Sequence, residues 1–150
     1  MQINVIALAI IVVTRQCIAV LWRYRNNSEI EDSLYKLQEI NYDRAFVYPI
    51  GVSTQKNYML VIALASYSPE SHIPGRPEVK LVANIHGDEP VGRELLLQLA
   101  VELLESSDPQ TKQLMATARV HLLPTLNPDG FAASVEGRCK SGKRGSIADI

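Results

Sequence analysis

The segment VKLVANIHGDEPVGRELLLQLAVELLE, residues 79–105, constrains the fold of this chain more than any other. Its first part, 79–85, is a short, mainly apolar run of the kind that suits a strand inside a covered sheet. His86-Gly87-Asp88-Glu89 follows, and Gly87 lets the backbone turn sharply. From Val91 to Glu105 the pattern is helical. Leu95, Leu96, Leu99, Leu103 and Leu104 are expected to face one way, and Glu94, Gln98, Glu102 and Glu105 the other. Pro90 fits the first helical position, where its missing N–H costs nothing. Asp108-Pro109 then caps a short helix through about Met115, and Arg119 to Leu123 reads as another strand. Strand, helix, helix, strand in this order predicts an α/β fold with a mixed sheet flanked by helices.

The flanking sequence agrees with that layout. Residues 29–40, EIEDSLYKLQEI, place Ile30, Leu34, Leu37 and Ile40 near helical spacing, with Ser28 as the expected N-cap. Residues 44–50 and 58–65 are rich in β-formers and aromatics and read as an antiparallel hairpin around GVSTQKN. Residues 66–78 contain three prolines and a glycine and form a surface loop. Asn127-Pro128-Asp129-Gly130 is a strong turn signal. Residues 138–150 are polar and glycine-rich and read as a divergent tail.

At 150 residues, one domain is expected. Hydrophobic residues make up 47% and charged residues 21%, an ordinary globular balance. The formal net charge is −1, so no basic field points to a nucleic-acid partner. Val5 to Val13 is continuously apolar and too short for a bilayer span, which needs about 20 residues. Its length suits a signal-peptide core, with small residues near Ala19, so residues 1–19 are a candidate signal peptide. A buried strand or a non-native start is the alternative. Secretion would make Asn26-Asn27-Ser28 a glycosylation sequon and would remove Cys17 with the signal. Cys139 would then lack a partner within this chain. The sequence gives no ground for assigning a membrane anchor.

The chemistry lies at the end of the 79–85 run. His86 is delivered to the C-terminal end of a strand, where open α/β sheets bind ligands. Glu89 follows three residues later, just ahead of the helix. An imidazole and a carboxylate this close can converge on one cation, and such donors form an ordinary shell for catalytic zinc. A bare His-x-x-Glu pair arises often by chance. Here the apolar strand, the glycine elbow and the proline-started helix all agree. Of the remaining histidines, His72 falls in the proline-rich loop and His121 within the RVHLL strand. Both are expected to be structural or exposed.

HGDEPVGRELLLQLAVELL closely resembles the signature of the M14 zinc carboxypeptidases, in the branch that includes carboxypeptidases D, E, M and N. VHLLPTLNPDGF is similar to the family's strand ending in P-x-x-NPDG, and YPIGVST resembles its hairpin entrance. The resemblance covers roughly residues 30–137, and residues 29–137 are identified as the first part of such a domain. It implies that His86 and Glu89 are the first two zinc ligands, with Zn2+ as cofactor and peptide or protein C-termini as substrates. Asp88 stands where the family usually has asparagine, and Lys56-Asn57 replaces a Gly-Arg pair. Arg138 and Arg144 lack the family surroundings and read as loop arginines. Arg93 and Glu94 read as structural pairing or a solvated face, and Asn127 and Asp129 as fixing the turn.

The resemblance further implies that the third histidine, the carboxylate-gripping arginines and the general-base glutamate lie outside this chain. No catalytic or substrate-binding residue is therefore assigned within it. The chain is expected to be inactive as written, to bind zinc weakly, and to belong to the secretory pathway or the extracellular space. Two alternatives stand beside this reading. One is a non-catalytic secreted binding module. The other is an aspartoacylase-like zinc amidohydrolase, against which the NPDG block argues.

Overall fold

The computed structural model describes residues 24–135. The candidate signal at 1–19, Cys17, Cys139, Arg138, Arg144 and the 138–150 tail lie outside the described residues. The elements are α1 (Asn27–Ile40), β1 (Ala45–Val52), β2 (Tyr58–Leu64), β3 (Glu78–Val82), α2 (Val91–Glu105), α3 (Pro109–Thr117), β4 (Arg119–Leu123) and the short α4 (Pro128–Ala132). The four strands form one mixed sheet in the order β1-β2-β4-β3. β1 and β2 are the antiparallel hairpin, β4 lies antiparallel to β2, and β3 runs parallel to β4. The expected mixed sheet with flanking helices is therefore present.

Periodicity explains which faces are buried. In α1, Ile30, Leu34 and Leu37 make the inward stripe, while Ile40 is exposed. Asn26, not Ser28, caps this helix: its side chain accepts from the Glu29 amide and Glu29 returns the bond to the Asn26 amide. This reciprocal box satisfies two amide donors that helix geometry leaves unpaired. The inward residues of α1 join Val47, Leu60, Ile62 and Leu64 from the hairpin, and Leu97, Ala100, Leu104, Met115, Val120 and Leu122 from the rest of the chain. The three longer helices thus share one core against one face of the sheet. A smaller cluster of Met59, Val61 and Leu123, with Tyr48 and Leu126, lies apart from it.

Two expectations need correction. First, α2 buries Arg93, Glu94, Leu97, Ala100, Leu103 and Leu104, and it exposes Leu95. The leucine stripe is rotated from the expected one because the first turn is anchored by charge and not by leucine. Second, β3 is not a covered strand. It ends at Val82, lies at the sheet edge, and leaves Val79, Leu81 and Val82 about half exposed. An edge strand has a neighbour on one side only, so its apolar residues stay partly in water whatever their hydrophobicity.

Two contacts join the chain after β4 to the earlier elements. The Asp129 carboxylate accepts from Ser53 Oγ at 2.7 Å, Asn57 Nδ2 at 2.8 Å and the Gln55 amide at 3.0 Å. It clasps the tip of the β1–β2 hairpin to α4. Partial burial works against this anion, but the hydrogen bonds from Ser53, Asn57 and Gln55 outweigh it and hold its pKa below the usual aspartate value. The second contact is backbone on backbone: a Cβ added at Gly87 would lie 2.0 Å from the Gly130 carbonyl carbon.

Both contacts generate predictions. Because the folded pKa of Asp129 is depressed, its contribution is present above the unfolded value of about 3.9 and is lost as pH falls through the folded value. Asp129→Asn should therefore cost about 1–2 kcal/mol near neutral pH, with the difference from wild type shrinking below about pH 4, read from denaturant unfolding across pH. Gly87→Ala should cost about 1–3 kcal/mol in the same assay, because the methyl group meets backbone that cannot rotate away.

Candidate metal centre

The parallel strands β3 and β4 end on the same side of the sheet, and each is followed by a loop there. The chain leaves β3 through Ala83 and Asn84 and reaches His86 and Glu89 just before α2. The chain leaving β4 runs beneath it: the amide of Leu126 donates to Ala83, that of Asn127 to Asn84, and the Asn127 side chain to the Ile85 carbonyl. Asn127 also caps α4 by accepting from the Gly130 amide. The expected NPDG turn is thus the start of a short helix that floors the His86 loop.

His86 Nδ1 lies 3.1 Å from Glu89 Oε2, and both side chains are open to solvent, at 42% and 58% exposure. The backbone supports this approach, since the Glu89 amide donates to the His86 carbonyl at 3.1 Å. An exposed pair of this kind adds little to stability, about 0–1 kcal/mol. The buried groups that hold its loop go well beyond what such a pair needs for folding.

Those groups were not legible as a site in the sequence. Asn84 is buried, with φ +55°. Its Nδ2 donates to the His86 carbonyl at 2.8 Å and lies 3.3 and 3.4 Å from the carbonyls of Gly87 and Glu89. Arg93, only 1% exposed, donates to Asn84 Oδ1 at 3.3 Å, to Asn27 Oδ1 at 3.1 Å and to the Arg25 carbonyl at 3.0 Å. Its guanidinium also stacks over the Phe131 ring, 3.5 Å from the centroid. Burial pulls the Arg93 pKa down to about 10, against the opposing effect of the neighbouring Glu94, so it stays charged at neutral pH. Glu94 in turn pairs with Arg25 and accepts the Arg25 amide at 2.6 Å. The signal that could have singled out Asn84 is its type: asparagine is one of the few non-glycine residues that tolerates a left-handed backbone.

The other histidines are held elsewhere. His121 is buried in mid-strand opposite Lys80, with Nδ1 2.8 Å from the Tyr48 hydroxyl and Nε2 3.5 Å from Glu78. Burial, with Arg119 nearby, lowers its pKa and keeps it neutral. His72 is exposed and meets Glu78 at 2.8 Å, and Arg119 meets the same carboxylate at 2.6 Å. The His72 hydrogen bond, with Arg119 and His121, outweighs burial and lowers the Glu78 pKa. Both histidines have structural partners. Asp88 has one carboxylate oxygen that is buried and without a hydrogen-bond partner among the described residues.

The donor set can be compared with what a zinc ion requires. Donors about 2.0–2.2 Å from a tetrahedral ion lie about 3.3–3.5 Å apart. The observed 3.1 Å is close to that spacing. One imidazole nitrogen and one carboxylate oxygen are donors zinc accepts. Among the described residues no group of three His, Cys, Asp or Glu side chains converges. The residues present therefore fit two protein positions of a zinc shell.

The zinc carboxypeptidase model, Peptidase M14, matches residues 30–148. Carboxypeptidase E of Caenorhabditis elegans is 40% identical over 111 residues, which are 72% of this chain and 23% of that protein. The carboxypeptidase N catalytic chain of Rattus norvegicus is 38% identical over 127 residues, 82% of this chain and 28% of its own length. This chain thus spans about a quarter of the length of these two relatives. Among solved structures, carboxypeptidase A from Helicoverpa armigera superposes with a TM-score of 0.65 at 18% identity, over 73% of this chain and 26% of that one. That likeness shows the fold, and the family match shows the kinship. The chain belongs to the Peptidase M14 zinc carboxypeptidase family.

Proposed function

We propose that His86 and Glu89 are two protein ligands of a catalytic zinc ion, in a protein that removes C-terminal residues from peptides. The observation that carries this reading is the 3.1 Å approach of two solvent-open donors on a loop held by buried polar groups. When bound, zinc supplies an activated water and polarises the scissile carbonyl. The residues of this chain do the rest of what it can do. His86 offers an imidazole nitrogen, Glu89 offers a carboxylate oxygen, and the floor built from Asn127 to Gly130 keeps their loop in place. Basic C-terminal residues are the proposed substrates, on the resemblance to the branch with carboxypeptidases E, N, D and M. The proposed compartment is the secretory pathway. It rests on the apolar run Val5–Val13, which lies outside the described residues. Among the described residues no helix is long and apolar enough to cross a membrane.

The free edge of β3 favours a second feature of this reading. Among the described residues β3 has a strand neighbour on one side only, and its exposed Val79, Leu81 and Val82 suit the docking of a further strand. We propose that the working sheet is wider than the four strands described. A non-catalytic binding module would draw on the same edge.

With two ligands, this chain should bind zinc weakly and yield it to EDTA, and it should not turn over peptides ending in lysine or arginine. Calorimetric titration with Zn2+ checks the first point. His86→Ala and Glu89→Ala should each weaken binding at least tenfold, and stoichiometric, chelator-resistant zinc would contradict the two-ligand account. Asp88→Asn should stabilise the metal-free chain by about 1 kcal/mol, by removing a buried anionic oxygen without a donor. Thermal unfolding in EDTA reads that change.

A further inference from the structure

We infer that Asn84, oriented by Arg93, is a positioning residue that sets the geometry of the His86–Glu89 pair. The inference rests on reading that pair as metal ligands. The side-chain amide of Asn84 is buried behind the loop, and among the described residues it donates to the carbonyls of residues 86, 87 and 89. An NH2 group has two protons. One makes the 2.8 Å bond to His86, and the other is shared between Gly87 and Glu89. One group therefore ties together the backbone of both proposed ligands and of the turn between them.

Arg93 determines which way that amide faces. A guanidinium only donates, so the atom 3.3 Å from Arg93 Nη1 must be the Asn84 oxygen, and the NH2 must face the loop. Arg93 is itself fixed by Asn27 and the Arg25 carbonyl at the start of α1 and by the Phe131 ring in α4. The chain of contacts runs from α1 and α4, through Arg93 and Asn84, to His86 and Glu89. The left-handed backbone at Asn84 does not by itself account for the amide, since glycine adopts φ +55° at least as well. What glycine lacks is the donor. Supporting hydrogen bonds of this kind typically change metal affinity about ten- to a hundredfold when removed.

That difference gives the test. Asn84→Gly keeps the backbone conformation and removes the donor. Asn84→Asp keeps the shape and puts an anionic oxygen against three carbonyls. Zn2+ is titrated into the full 150-residue chain and followed by isothermal titration calorimetry, with His86→Ala as baseline and circular dichroism melting as the check on folding. Asn84→Gly should melt close to wild type yet bind Zn2+ about tenfold more weakly or worse, and Asn84→Asp should not restore affinity. Wild-type affinity in Asn84→Gly, with binding lost in His86→Ala, overturns the positioning role and leaves the metal pair standing. Wild-type affinity in His86→Ala overturns the metal pair and this inference together. Should Asn84→Gly fail to fold, hydrogen exchange of the Asn84 side-chain amide in the wild-type chain decides. Slow exchange supports the inference, and exchange at the rate of free asparagine overturns it.

Discussion

The buried guanidinium of Arg93 is the interaction on which the arrangement of this chain depends. A charge that far from water is tolerated only when its protons find acceptors, and leaving it unpaired would cost several kcal/mol. The two terminal nitrogens of Arg93 find acceptors on Asn84, Asn27 and the Arg25 carbonyl, with Phe131 against its face, while its Nε has no hydrogen-bond partner among the described residues. Pairing the two terminal nitrogens of one side chain therefore ties together the start of α1, the packing of α4 and the exit from β3. Glu94 extends the lock by pairing with Arg25. The apolar core behind the sheet provides the driving force for folding, but it is non-directional. The polar joint supplies the register in which the loops meet.

Much of this layout was legible from patterns with one dominant cause. Alternating and apolar runs gave the hairpin and β4, and helical spacing gave α1, α2 and α3, with Pro109 opening α3 and Pro90 standing at the N-cap of α2 and not at its expected first helical position. Other features depended on neighbours far away in sequence. The exposure of β3 follows from its place at the sheet edge, which no local pattern encodes. The rotation of α2 follows from Arg93 and Glu94 being buried, and charged residues are rarely buried unless they are paired. Their partners Arg25, Asn27 and Asn84 lie up to 69 residues away in the sequence. Asn26 displaced Ser28 as the cap because Glu29 at the third helical position completes a reciprocal box with it.

The candidate site was legible in part for the same reason. His86 and Glu89 stand three residues apart, so sequence alone could bring them together, and the structure places them 3.1 Å apart. Their support comes from the NPDG segment and from Arg93, which reach the loop only through the fold. The outcome is an open pair of donors on a rigid, polar-buttressed loop. Donors that need not reorganise to meet a ligand bind it with less entropic loss, which is the physical value of such a support.

The central claim is that this pair, and no other group among the described residues, holds a metal ion. X-ray absorption at the zinc edge, on the 150-residue chain loaded at high protein concentration with less than one equivalent of Zn2+, tests it most directly. The account predicts a first shell of one imidazole nitrogen with oxygen donors for the rest, and loss of the imidazole signal in His86→Ala. A shell containing sulfur or two imidazoles, or one unchanged by His86→Ala, would contradict it.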